Sequence, residues 1–143
     1  MESKSLDTQS ILKLYELRRD EQMRKAREWY FTQFNPTSAA DIVQLTLSGF
    51  EESAKFRMVT SYWDTAASLV NNGGIDEKLF LEANTEHFAI FAKLEPFIAE
   101  VREMFGEKTY LFHLEQLVMK IPHVKPIMAS RRKLFAGWAK RDE

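Results

Sequence analysis

From Glu51 to Asn71 the chain runs EESAKFRMVTSYWDTAASLVN, with no glycine or proline and with apolar residues recurring at the period of an α-helix. On a wheel, Met58, Val59, Tyr62, Trp63, Ala66, Ala67, Leu69 and Val70 fill about half the circumference. So broad an arc requires more than one neighbouring helix to cover it. Asp64 falls on the opposite side with Arg57, Thr60, Ser68 and Asn71, where a carboxylate is expected to be solvated. The segment closes on Asn71-Asn72-Gly73-Gly74, residues that tolerate the left-handed backbone of a helix C-cap. Asp76 is placed to cap the next helix, and Ile75 and Phe80 have the spacing of a hydrophobic staple. The whole passage from Ser61 to Phe80 therefore predicts two antiparallel helices and a tight connection, not a site built on the glycine pair.

The rest of the chain follows the same pattern, with only five glycines and four prolines in 143 residues to interrupt it. A long helix is predicted from about Leu6 to Phe34, with Leu12, Tyr15, Met23, Ala26, Tyr30 and Phe34 at helical spacing. Its centre, Arg18 to Arg27, is nearly all charged, which suits a helix crossing the surface or extending beyond the bundle. Asn35-Pro36 ends it. Ser38 and Asp41 form a capping box for a short helix to about Ser48, and Gly49 separates that helix from the next. Further helices are expected over about 77–94, from Pro96 or through a kink there to Gly106, over about 108–120, and to about Lys140 after a loop from Ile121 to Pro126. The expectation is an all-α, single-domain helical bundle of five to seven helices over 1–143, residues 1–35 being a long charged helix and 36–143 the core.

Bulk properties narrow the function classes. Hydrophobic content of 45% and aromatic content of 13% supply ample core. The absence of cysteine excludes disulfides, thiolate metal sites and a cysteine nucleophile. The polar start MESKSLDTQS is unlike a signal peptide, and no apolar run reaches the roughly 18 residues of a membrane span, so a cytoplasmic protein is expected. Net charge is −1, yet residues 36–116 carry 13 acidic and six basic side chains while 117–143 carry two acidic and seven basic. A basic C-terminal segment can steer a phosphate-bearing partner.

No motif names a chemistry. Glu-x-x-His and His-Glu-x-x-His are absent, Gly73-Gly74 lacks the spacing and lysine of a phosphate loop, and no nucleophile elbow is present. No catalytic residue, metal site or cofactor is assigned, and the balance favours a non-enzyme. The oddity is Asn84 and His87, three residues apart and inside the apolar arc of their helix. They form either a structural hydrogen-bond set or a small polar pocket, with Tyr62 as the expected partner from the preceding helix. Glu82, Glu86 and Lys93 fall on the other side. Phe112 and Met119 lie on the reverse face of an amphipathic helix and need cover from another helix or another chain. Arg131 stands in the stripe of Phe135 and Trp138; with Arg132, Lys133, Lys140 and Arg141 it offers a contact for anionic partners, though nothing marks a nucleic-acid fold.

Certain runs resemble an uncharacterised bacterial family of helical domains of unknown function. They are Phe34-Asn35-Pro36-Thr37-Ser38, Lys55-Phe56-Arg57-Met58-Val59, Tyr62-Trp63-Asp64, Gly74-Ile75-Asp76, Leu79-Phe80, and Glu95-Pro96 leading to Arg102. The resemblance spans roughly residues 28–120 and rests on cap, turn and packing residues. It implies an all-helical fold and carries over no catalytic residue. It also brings the expectation of an N-terminal membrane helix in some members, against which the charged helix here argues. The leading expectation is a protein-interaction or regulatory module that self-associates through the first helix or the Phe112/Met119 face. The alternative is a small-ligand sensor or enzyme with a pocket near Tyr62, Asn84 and His87. A third reading has Arg131, Arg132 and Lys133 meeting phosphate-bearing partners.

Overall fold

The computed structural model describes residues 2–141, and the side chains of residues 6–137. Among them the fold is all-helical, with nine helices: α1 (Glu2–Arg18), α2 (Glu21–Thr32), α3 (Ala39–Leu47), α4 (Glu51–Asn71), α5 (Glu77–Ala83), α6 (Glu86–Ala92), α7 (Ile98–Phe105), α8 (Phe112–Met119) and α9 (Val124–Arg141). Trp138, Lys140 and Arg141, expected in the last stripe and the basic segment, have side chains outside the described set.

Helix α4 is the hub, as its broad apolar arc requires. It packs most extensively on α8 and α2, and also on α3, α5 and α6. Its buried face is Phe56, Val59, Thr60, Trp63, Ala66, Ala67 and Val70, while Met58 and Leu69 at the arc's edges stay exposed. Thr60, expected on the polar side, is buried because its Oγ1 donates back to the Phe56 carbonyl at 2.9 Å. Gly73, at φ +81, turns the chain out of α4, and the Gly74 N–H closes on the Leu69 carbonyl at 2.7 Å. Asp76 accepts from the Leu79 N–H at 2.9 Å, and Ile75 and Phe80 are both buried. The capping box is present in altered form. Ser38 accepts from the Asp41 N–H, but the Asp41 carboxylate turns to the backbone and hydroxyl of Thr37, which holds it below the usual carboxylate range.

The predicted long first helix is two helices. Asp20 breaks it: its carboxylate accepts from the Gln22 and Met23 N–H groups and starts α2 afresh. The break frees α2 to turn inward, burying Met23, Ala26, Trp29 and Tyr30. The predicted helix over 77–94 is broken too. Asn84 adopts an extended backbone while its Nδ2 stays on the Phe80 carbonyl at 3.2 Å. Beyond it, His87 through Leu94 are all buried, so α6 threads the interior instead of lying on it. Such a helix cannot share an axis with the half-exposed α5. Residues 108–111 form turns before α8, with Leu111 at φ 54, and the predicted loop ends early because α9 begins at Val124. Pro126 is tolerated there, since a helix's first N–H groups have no internal partner. These breaks account for nine helices in place of five to seven.

Candidate functional site

Tyr62, Trp63 and Asp64 are consecutive, and each bonds a different helix. The Tyr62 hydroxyl donates to the Leu14 carbonyl of α1. The Trp63 Nε1–H donates to Glu86 Oε2 of α6 at 3.2 Å. Asp64 Oδ1 accepts from the Leu114 N–H of α8 at 2.9 Å. Asp64 is thus not the solvated acid expected from the wheel. α8 has no side-chain cap of its own, and Asp64 satisfies one of its free donors from α4.

Around Trp63 a charged network assembles. Glu86 takes the Arg27 guanidinium through two bonds, Nε to Oε2 at 2.8 Å and Nη2 to Oε1 at 2.5 Å. This hydrogen bonding raises the Arg27 pKa still further. Arg27 also donates to the Arg18 carbonyl at 3.4 Å, tying α2 to the end of α1. The Arg18 guanidinium lies 5.3 Å from the Trp63 ring centroid and 5.5 Å from that of Tyr15. Its Nε is buried without a hydrogen-bond partner. Arg19 lies 5.6 Å from the same Tyr15 ring.

Two cavities open over this network, each of about 460 Å³. One is lined by Tyr15, Arg18, Arg19, Arg24 and Arg27. The other shares Arg24 and Arg27 and continues over Phe31, Glu86, Ala89, Arg131 and Phe135.

The expected trio divides. His87 and Asn84 do share a groove, of about 290 Å³, with Leu81, Phe88, Ile121, Ile127 and Arg131. Tyr62 is elsewhere, packed edge-on against Trp63 at 4.9 Å and bonded to α1, with burial pushing its phenol up to about 12. His87 is 1% exposed, between the rings of Trp63 and Phe80, and neither ring nitrogen has a partner. Burial lowers its pKa to about 4.

Phe112 and Met119 are both exposed, so no helix among the described residues covers the reverse face of α8. The basic residues of α9 do not join them in one patch. Arg131 lines the His87 groove, Arg132 donates to the Ala92 carbonyl at 2.8 Å beside Glu95, and Lys133 is exposed.

Two features escaped the sequence reading. Glu86 and Lys93, assigned to a solvent face, are half-buried and buried. Lys93 is 5% exposed and donates to the carbonyls of Tyr30, Phe31 and Phe34 at 2.6, 3.3 and 2.7 Å. It closes the C-terminal end of α2 under the rings of Tyr30, Phe34 and Phe135. Burial draws its pKa down to about 7, while the three carbonyls favour the charged form. The arginine cluster was visible only as a charge run; the signal to weigh was Asp20, a cap residue in its middle.

Among the described residues no group of three or more His, Asp or Glu side chains is placed to hold a metal ion, and no helix is long and apolar enough to cross a membrane. Comparison with curated proteins and with solved structures returns no match. A family model does match, over residues 4–121, spanning α1 to α8 and leaving α9 beyond it. The chain belongs to the family described as Domain of unknown function (DUF4760).

Proposed function

We propose that this domain is a protein-interaction module that self-associates through α1. The observation that carries this reading is the apolar surface of that helix. Ile11 and Leu14 face the core, but Leu6 is 61% and Leu12 60% exposed, and Tyr15 and Leu17 are about half exposed. On a wheel, Leu6 and Leu17 flank one side of the buried stripe, and Leu12 and Tyr15 the other. A helix apolar on both flanks is one that a neighbour covers. Charge supports a second copy of this chain as that neighbour. Across residues 6–18, Asp7 and Glu16 balance Lys13 and Arg18, so two copies meet without net repulsion. The Asp7 carboxylate is held within the chain by the Asp76 N–H at 3.1 Å, so an antiparallel pairing centred on Leu12 rests on the apolar side chains, in a closed two-fold arrangement.

Light scattering coupled to size exclusion tests this over a hundredfold range of concentration. A dimer is expected, converted to monomer by Leu6→Glu with Leu12→Glu while the far-ultraviolet circular dichroism stays unchanged. A wild-type monomer at every concentration, or a dimer indifferent to both substitutions, overturns the reading. The exposed Phe112 and Met119 offer a second face. Phe112→Glu dissolving the dimer in place of the α1 pair would move the interface there.

A further inference from the structure

The cavity at the α1–α2 junction is lined by four arginines, Arg18, Arg19, Arg24 and Arg27, with Tyr15, and by no acid. Of the four, Arg27 alone has a salt bridge among the described residues, its bond to Glu86 fixing it as a wall of the cleft. The charges of Arg18, Arg19 and Arg24 therefore converge on one space without a carboxylate to neutralise them.

Arg19 and Arg24 are exposed, but Arg18 is not placed as in a solvated charge run. The Arg18 guanidinium lies 5.3 Å from the ring centre of Trp63 and 5.5 Å from that of Tyr15, and its buried Nε has no hydrogen-bond partner. A buried donor without a partner is unfavourable, and a ligand oxygen that reached it would relieve that. Arg19 meets the same Tyr15 ring, so one aromatic plate orients two guanidiniums. The break at Asp20 produces the convergence: it turns α2 back so that Arg24 and Arg27 face the Arg18–Arg19 end of α1. The Asp20 carboxylate is itself engaged by the Gln22 and Met23 N–H groups.

Planar guanidinium forks match the tetrahedral oxygens of phosphate, which carries roughly −1.5 to −2 charge near neutrality. Three uncompensated arginines exceed what a single carboxylate can balance. The adjoining cavity, reached past Arg24 and Arg27, has Phe31, Ala89 and Phe135 on its walls together with Glu28, Thr85, Glu86 and Arg131, so it can take an uncharged apolar or planar body but not a second anionic group. We propose that the Arg18–Arg19–Arg24–Arg27 cleft binds the phosphate groups of an organic anion carrying two or more negative charges, whose remaining part lies along Phe31 and Phe135. This goes beyond the pairing of α1, whose test residues Leu6 and Leu12 do not line the cleft.

Isothermal titration of the full chain at about 50 mM salt tests it, with inorganic pyrophosphate and adenosine triphosphate as soluble probes and co-sedimentation with phosphatidic acid vesicles alongside. Binding is expected, and a combined Arg19→Glu and Arg24→Glu variant should weaken it at least about tenfold. Both residues are exposed, so the melting temperature should hold. A control with the same charge change elsewhere, Lys108→Glu with Lys125→Glu, should leave binding within about twofold. Pyrophosphate and nucleotide bound with this pattern identify a soluble ligand; vesicles alone bound with it identify a lipid headgroup. No binding by any probe overturns the proposal, as does equal weakening by the control pair. Using the Leu6→Glu and Leu12→Glu monomer as host keeps the result separate from self-association.

Discussion

His87 offers the sharpest quantitative test of the packing. Its imidazole is 1% exposed, is wedged between Trp63 and Phe80, and has no hydrogen-bond partner on either nitrogen. Burial alone lowers its pKa from 6.5 to about 4. The unfolded chain therefore binds the proton more readily than the folded one between those values. Stability is unaffected by this group above pH 6.5 and is lost as pH falls from 6.5 towards 4. The full effect is about 3 kcal/mol, of which less than half is lost by pH 5.5 and about three quarters by pH 4.5. Arg131 lines the same groove and opposes a second positive charge there. Replacing His87 by leucine removes the titration together with two unpaired nitrogens. Urea unfolding of the native chain and of His87→Leu at pH 7.5, 6.5, 5.5 and 4.5 isolates the effect, because every other ionisable group is common to both. The leucine variant should equal or exceed the native chain at pH 7.5, and its advantage should grow by about 1 kcal/mol per pH unit from pH 6.5 to 4.5. A difference constant from pH 7.5 to 4.5 would refute the reasoning, as would an NMR titration of the His87 ring with its midpoint near 6.5.

Lys93→Met removes the donor from three carbonyls at the end of α2 and should cost about 3 kcal/mol in urea unfolding, a value below 1 counting against the capping role. With Lys93 drawn down to about 7, the unfolded chain holds the proton more tightly from about pH 7 to 10, so the native chain should gain stability over Lys93→Met across that window; a flat difference refutes it. Gly73→Ala should destabilise by about 1 kcal/mol from its φ of +81 alone, since a Cβ there meets nothing within 4 Å. Gly73→Asn should recover much of that loss, and equal losses in the two variants would place the cost elsewhere.

Local signals were legible where they act over a turn or less. The wheel of α4, the cap at Asp76, the staple of Ile75 and Phe80, and the turn at Gly73 all follow from chemistry within about five residues. Helix breaks at Asp20 and Asn84 were harder to read, because both interrupt segments whose periodicity continues through the break. In each case a side chain that bonds nearby backbone competes with the helix, and the gain that decides the outcome is tertiary. Breaking at Asp20 buries Met23, Trp29 and Tyr30, and breaking at Asn84 lets α6 run through the interior. The same limit hid Lys93 and Glu86, whose polar character assigns them to solvent until their partners on α2 are known.

By itself the sequence determined the class of fold, the principal helix, and the hairpin that follows it, since periodicity and capping are properties of neighbouring residues. It singled out Asn84 and His87 by the spacing of one continuous helix, but the chain breaks at Asn84, and packing brings the two to one groove. Only the tertiary structure decided what the polar residues do. Tyr62, Trp63 and Asp64 became ties to α1, α6 and α8, and Arg18, Arg19, Arg24 and Arg27 converged on one cleft. Such assignments depend on which backbone donors and acceptors arrive from distant parts of the chain. A polar side chain out of water takes whichever partner satisfies it, and the packing of the helices selects that partner.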